Sequence, residues 1–229
     1  KRQIKYMIEL NSGSMVEMVI IPEKNRRTLC VSSQAGCALQ CTFCATGAQG
    51  FDQNLESHEI IGQLWLANFN QNNTKPITNV VFMGMGEPLL NYDSVIESAK
   101  IMKDQHSYGL SRKRITISTS GIVPNINKLS KEIDVSLAIS LHAAENNLRN
   151  EIVPINKKYP IESLIKACKE YLNYFDNKRN ITIEYILIDG INDSIEHAKK
   201  LTKLLSDISC KINLIPFNSF IGSDYKRPS

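Results

Sequence analysis

The sequence has no apolar run approaching the ~20 residues that a bilayer-spanning helix needs, and it does not open on a basic stretch followed by an apolar one. That excludes a helical membrane span and predicts a soluble chain with no membrane partner. A dominant charge is missing too: 27 Lys and Arg stand against 23 Asp and Glu, a net charge of +4. Such a mild basic excess suits nucleic acid and is equally ordinary for an enzyme. Six cysteines in 229 residues are too sparse for a secreted disulfide framework, and four of them crowd between Cys30 and Cys44. A reducing, cytoplasmic setting is expected. The chain starts at Lys1 without an initiator Met and ends at Ser229 after a basic turn, so a piece of a longer protein is expected. An apolar share of 42% allows one sizeable core.

What is present is organised around Cys37-Ala38-Leu39-Gln40-Cys41-Thr42-Phe43-Cys44, a C-x3-C-x2-C loop with Gly36 before it and Gly47 after it. Three thiolates are one ligand short of a closed site. A [4Fe-4S] cluster held by three cysteines keeps one iron open to chelate a small molecule. A zinc loop completed by Cys30 and a set of buried structural thiols fit the same spacing.

Alternation at Tyr6, Ile8 and Leu10, a turn at Asn11-Ser12-Gly13-Ser14, and further alternation at Val16, Met18 and Ile20 predict a β-hairpin over residues 1–22, with Glu17 on its second strand. A short strand, Thr28 to Ser32, feeds the cysteine loop. After it, Ser57 is a plausible N-cap for a helix with Ile60, Ile61, Leu64, Trp65 and Phe69 at helical spacing. Strands are then expected at Asn79–Met83, Arg114–Ser118, Val135–Leu141, Ile181–Leu187 and Lys211–Ile215. Helices are expected at Tyr92–Gln105, Val123–Ser130, Ile161–Phe175 and Ser194–Ser206. Strands alternating with helices predict βαβ units and a parallel sheet. Six such strands favour an α/β fold, a partial TIM-like (β/α)6 barrel over residues 23–229, ahead of a flat doubly wound sheet.

Both architectures bind ligands at the C-terminal strand ends, and unusual residues gather there. Met83-Gly84-Met85-Gly86-Glu87-Pro88 offers glycines for close backbone approach and a carboxylate able to face an ammonium group. Ser118-Thr119-Ser120-Gly121 offers hydroxyls, Ser140-Leu141-His142 a histidine, and Ile215-Pro216-Phe217-Asn218 an amide. Each has an ordinary reading as a turn, and their repetition at one end of the strands is what points to a site.

The cysteine loop resembles the radical SAM signature. The wider set, Cys30-Val31-Ser32-Ser33-Gln34-Ala35-Gly36-Cys37, Cys44-Ala45-Thr46-Gly47, the segment from Met83 to Leu89, Ser118 to Gly121, Ser140 to His142 and Pro216 to Asn218, resembles the RlmN/Cfr family of radical SAM RNA methyltransferases. The resemblance covers essentially the whole chain. It implies that Cys37, Cys41 and Cys44 bind a [4Fe-4S] cluster. It also implies that Gly86, Glu87, Ser118, Ser140, Leu141, His142 and Asn218 contact S-adenosylmethionine. It gives Cys30 the part of the thiol that resolves the enzyme-RNA adduct, leaving a disulfide, and Glu17 that of the proton acceptor. The implied substrates are 23S rRNA, in its peptidyl-transferase region, and tRNA, at the adenosine beside the anticodon, with an external one-electron donor. Lys24, Arg26, Arg27, Arg112-Lys113-Arg114 and Lys226-Arg227 are candidate phosphate contacts or a solvated face.

The sequence departs from this family at the methyl-carrying cysteine, which lies there in a C-terminal motif reading like D-I-D-A-A-C-G-Q-L and has no counterpart before Ser229. Cys168 and Cys210 do not match it, and packing accounts for both. The family's small N-terminal domain is also missing. The expectation is a catalytic core that binds cluster and S-adenosylmethionine without turning over. Two rivals remain: the branch of the family that methylates adenine carbon 8, and a zinc-stabilised nucleic-acid-binding module.

Overall fold

The computed structural model describes residues 3–69, 75–176 and 179–228. In chain order the regular elements are β1 (Ile4–Glu9), β2 (Met15–Pro22), β3 (Arg27–Cys30), β4 (Gln34–Gly36), α1 (Ala45–Gln49), β5 (Phe51–Asn54), α2 (Ser57–Phe69), β6 (Asn79–Phe82) and α3 (Tyr92–Lys103). They continue with β7 (Ile115–Thr119), α4 (Val123–Glu132), β8 (Ser136–Ser140), α5 (Asn146–Ile152), α6 (Ile161–Tyr174), β9 (Ile181–Leu187), α7 (Ile195–Leu204) and β10 (Cys210–Pro216). Two compact units divide them: Lys1–Ala38, Gln49–Ser118 and Glu132–Ser136 form one, and Leu39–Ala48, Thr119–Lys131 and Leu137–Ser229 the other.

In the first unit β1 and β2 make the expected hairpin, with Gly13 at φ +85° in its turn. Val16, Met18 and Ile20 point into the core while Glu17 lies on the opposite face. β2 pairs antiparallel with β3, and β3, β6 and β7 run parallel. Helix α2 buries Ile60, Leu64 and Ala67, and α3 buries Val95, Ile96, Ala99 and Met102. Trp65 and Phe69, expected on the buried stripe of α2, are instead 54% and 64% exposed and stack with ring centroids 5.6 Å apart. The buried stripe takes Gln63 in their place, because that amide is needed by the backbone described below. Ser57 opens the helix rather than capping it: the Glu59 carboxylate accepts from the Glu56 N–H at 2.9 Å, half of a capping box.

Four elements have no counterpart in the sequence pattern: the short helices α1 and α5, and the strands β4 and β5. β4 and β5 form an antiparallel ribbon with an irregularity at Ala35/Gly36, which leads directly into Cys37, whose N–H donates to Gly50 O at 2.8 Å. Gly36 has φ +74°, and a Cβ there would sit 1.9 Å from Gly50 O. Gly36→Ala is therefore expected to cost at least about 3 kcal/mol, since both the backbone conformation and the strand spacing must give; urea unfolding of the variant against the wild type measures it.

In the second unit β8, β9 and β10 are parallel, so each unit contributes three of the six parallel strands counted in the sequence. Helix α6 buries Ile161, Leu164, Ala167, Cys168, Tyr171 and Leu172 on one face. Cys168 is packing, as expected; burial pushes its thiol up to about 12. α7 begins one residue after Ser194, whose hydroxyl accepts from the His197 N–H. All six cysteines lie among the described residues, and none is in a disulfide. The disulfide implied by the family resemblance therefore has no counterpart here, and the cysteine it would pair with Cys30 is not in this sequence.

Candidate active site

The first unit holds Glu17, Cys30, Cys37, Gly86, Glu87 and Ser118 of the expected residues; the second holds Cys41, Cys44, Ser140, Leu141, His142 and Asn218.

In the first unit the segment after β3 and the segment after β6 are laced together. Gly84 N–H donates to Val31 O at 3.0 Å, and Ser33 N–H to Met85 O at 2.9 Å. A Cβ on Gly84 would lie 2.6 Å from Val31 O, so the close approach needs glycine. The Ser32 hydroxyl donates to Glu17 O at 2.6 Å and accepts from Met85 N–H at 2.9 Å. Buried Gln63 clamps the Ser32 backbone from both sides, its carbonyl accepting from Ser32 N–H and its amide donating to Ser32 O. Gln34 in turn accepts from the Glu87 N–H at 2.8 Å. Neither Gln34 nor Gln63 stands out in the sequence.

Glu87 is buried at 3% exposure, and its Oε1 accepts from Leu89 N–H at 3.1 Å, capping the short turn Pro88–Leu90. Gly86, at φ +96°, lies against the Gln34 side chain. Cys30 is half-buried at the end of β3, paired with Val19 and Val81. Burial pushes its thiol up to about 11, with the Met83 backbone pulling it partly back. Glu17 bridges Lys5 at 2.6 Å. Ser118 is buried near the end of β7.

In the second unit Cys41 and Cys44 lie on one tight loop: Cys44 N–H donates to Cys41 O at 3.0 Å and Ala48 N–H to Cys44 O at 3.1 Å. Gly47 lets it close, since a Cβ there would be 3.1 Å from both Cys41 N and O. Cys41 and Phe43 pack against Ala143, Ile152 and Val153, and Thr42 N–H donates to Ile152 O at 3.2 Å. The aromatic before the last cysteine thus anchors the loop, and Phe43 also meets the His142 ring edge-on, centroids 4.6 Å apart. Soft thiols on a tight backbone loop fit an iron-sulfur centre by donor chemistry. Among the described residues no three His, Cys, Asp or Glu side chains are gathered as a metal site, so the grouping of the three thiols rests on their spacing.

His142 is buried with φ +63°. Its Nδ1 accepts from Ile186 N–H at 3.1 Å, and its carbonyl accepts from the Asn192 amide at 2.9 Å. Burial first, and the Arg149 guanidinium second, push the imidazole down to about 3 from an ordinary 6.5. The unfolded chain takes up a proton there that the folded chain refuses, so stability is lost as pH falls from about 6.5 towards 3. At pH 5 the loss amounts to about 2 kcal/mol. Urea unfolding at pH 7 and pH 5 is expected to show that loss in the wild type and not in His142→Asn.

Asn218 is exposed at the end of β10, and its neighbour Phe217 is anchored by an N–H bond to Leu187 O at 2.9 Å. The largest omission of the sequence reading is Arg149 on α5, which is fully buried. Nothing in the sequence pattern singles it out, and only its placement reveals it.

The family profile described as the radical SAM superfamily matches residues 31–202. A dual-specificity RNA methyltransferase RlmN of Pseudomonas putida (strain F1) is 56% identical over 230 residues, covering 98% of this chain and 60% of the relative. The chain thus spans about 60% of the length of the curated relatives it matches. Among solved structures, a radical SAM methyltransferase from Sphaerobacter thermophilus superposes with a TM-score of 0.95 at 41% identity, over 99% of this chain and 67% of that one. SuiB of Streptococcus suis, with a TM-score of 0.62 at 15% identity over 87% of this chain and 41% of its own, shares the fold alone. The α/β class read from the strand and helix alternation is borne out by these matches, and the chain belongs to the radical SAM superfamily and, within it, to the RlmN family.

Proposed function

We propose that this chain is the catalytic core of a methyltransferase that places a methyl group on carbon 2 of adenosine in 23S rRNA and tRNA. The observation that carries this reading is the 56% identity to RNA methyltransferases named RlmN across nearly the whole chain. The three cysteines and the strand-end residues stand in the order and spacing of the family the chain resembles. Carbon 2 of adenine is not nucleophilic enough to be alkylated by a sulfonium, so a radical route is required. In this reading Cys37, Cys41 and Cys44 hold a [4Fe-4S] cluster, which when bound supplies the electron that cleaves S-adenosylmethionine reductively.

The chain's own groups do the rest. Gly86 brings backbone close to the cofactor, and buried Glu87 offers a carboxylate to its ammonium group. Ser118, Ser140, Leu141, His142 and Asn218 complete the contacts. His142, kept neutral, adds no positive charge beside a sulfonium. Glu17 accepts the proton lost from the adenine, and Cys30, protonated at rest, releases the product from the adduct. The hairpin of residues 1–22 extends a core of residues 23–229. The reading places the enzyme in a cytoplasmic setting with an external one-electron donor. Basic residues Lys24, Arg26, Arg27, Arg112 to Arg114 and Lys226-Arg227 are the candidate RNA contacts.

This sequence carries no methyl-carrier cysteine in the family's motif, so the chain by itself is expected to bind cluster and S-adenosylmethionine but not to methylate RNA. The test supplies the reduced, reconstituted protein with unmethylated RNA, alone and joined to a segment bearing that cysteine, and analyses nucleosides by mass spectrometry. 2-Methyladenosine only from the joined protein supports the proposal. 8-Methyladenosine transfers it to the antibiotic-resistance branch, and a methylated product from the chain alone refutes the expected division of labour.

A further inference from the structure

The second unit contains a buried cation that the proposed function does not use. Arg149 is 0% exposed, and a guanidinium out of water is costly unless its donors are matched. Its donors meet carbonyl oxygens on several sides. Nε donates to Leu141 O at 2.9 Å, Nη2 to Ser140 O at 3.1 Å and to Ser120 O at 2.6 Å, and Nη1 to Asn156 Oδ1 at 2.9 Å. Asn156 is itself fixed, donating to Asn146 Oδ1 at 2.9 Å and Asn150 Oδ1 at 2.7 Å, and Asn146 Oδ1 accepts from Ile161 N–H at 3.0 Å. The planar fork therefore spans from a rigid amide cluster to three backbone carbonyls.

Those carbonyls are not scattered. Ser140 ends β8, Leu141 follows it, and Ser120 follows β7. The two strand ends so tied are the Ser118-Thr119-Ser120-Gly121 and Ser140-Leu141-His142 segments. Gly121, at φ +117°, leaves room: a Cβ there would lie 3.3 Å from the Leu164 methyls and 3.7 Å from Arg149 Nη2. A guanidinium holding three carbonyls at fixed angles does what a lysine, a point charge with rotating donors, does only in part.

We propose that Arg149 is a positioning residue of the S-adenosylmethionine site, fixing the two strand-end segments so that Ser140, Leu141 and His142 meet the cofactor in one geometry. The inference rests on the cofactor assignment under the proposed function. Its cation also stands beside the His142 imidazole and opposes protonation there.

The test compares Arg149→Lys, Arg149→Met and Leu172→Ala with the wild type. Leu172 is buried on α6 and serves as a purely structural loss. Hydrogen-deuterium exchange on the unliganded protein is expected to speed up about tenfold or more at the amides of Gly121, Leu141 and Ala143 in Arg149→Lys, with the first unit unchanged. Affinity of the anaerobically reconstituted protein for S-adenosylmethionine is expected to fall about 30-fold in Arg149→Met and to recover in part in Arg149→Lys. Leu172→Ala is expected to stay within about threefold of wild type at a comparable drop in melting temperature. Arg149 variants that track Leu172→Ala, losing stability but not affinity, overturn the proposal. So does exchange that rises uniformly over the second unit. Should Arg149→Met not fold, Arg149→Lys decides alone. Should the wild type not bind S-adenosylmethionine, the cofactor assignment fails, and local against uniform exchange still decides whether Arg149 positions the two segments.

Discussion

Replacing Cys41 by alanine is expected to abolish cluster assembly, taking iron from about four per chain to background, and with it all reductive cleavage of S-adenosylmethionine. Two thiolates cannot hold the cluster against exchange with solution thiols. The fold should survive the change. Cys41 is a half-buried member of the apolar cluster around Ala143, Ile152 and Val153, and trading its thiol for a hydrogen costs about 1 kcal/mol. The loop is also held by its backbone bonds and by the close approach at Gly47. Iron and sulfide analysis beside a melting curve separates the two effects. An alanine variant that kept full iron would remove Cys41 from the ligand set.

Glu87→Gln is expected to weaken S-adenosylmethionine binding by between about 30-fold and a few thousandfold, the cost of leaving an ammonium group without its carboxylate in a buried site. The substitution is sterically neutral, and the retained carbonyl can still accept from Leu89 N–H, the bond that Glu87 makes at 3.1 Å. Stability should therefore move little while affinity falls. Equilibrium dialysis with labelled cofactor, run on protein with a matched iron content, measures it. An affinity within about threefold of wild type would leave Glu87 as a turn cap alone.

Much of the fold is legible in the chain. The hairpin is plain because its period-two pattern, Val16, Met18 and Ile20, is also its burial pattern. The strand at Ile181–Leu187 matches its sequence bounds to the residue, since apolar β-branched runs between polar turns leave little choice. The strand-end segments are legible because glycine, serine and histidine there violate the apolar pattern of the strands they follow. Helix α2 is legible only in part: Trp65 and Phe69 fit helical spacing, but spacing does not report that Gln63 must face inward to hold Ser32. The ribbon β4/β5 is hidden because its strands are short and its partner lies beyond the cysteine loop, a pairing set by tertiary contact. Arg149 is invisible for a similar reason. A charged residue in a polar seven-residue helix looks solvated until the carbonyls it serves, at Ser120, Ser140 and Leu141, are placed beside it.

An iron-sulfur centre with one iron left for S-adenosylmethionine underlies every step proposed for this chain. The most direct measurement is iron, zinc and acid-labile sulfide analysis of the anaerobically reconstituted chain, followed by electron paramagnetic resonance of the reduced protein with and without S-adenosylmethionine. About four irons and four sulfides per chain, with a signal that changes when the cofactor is added, is the expected result. One zinc per chain, no sulfide and no response to the cofactor would contradict it.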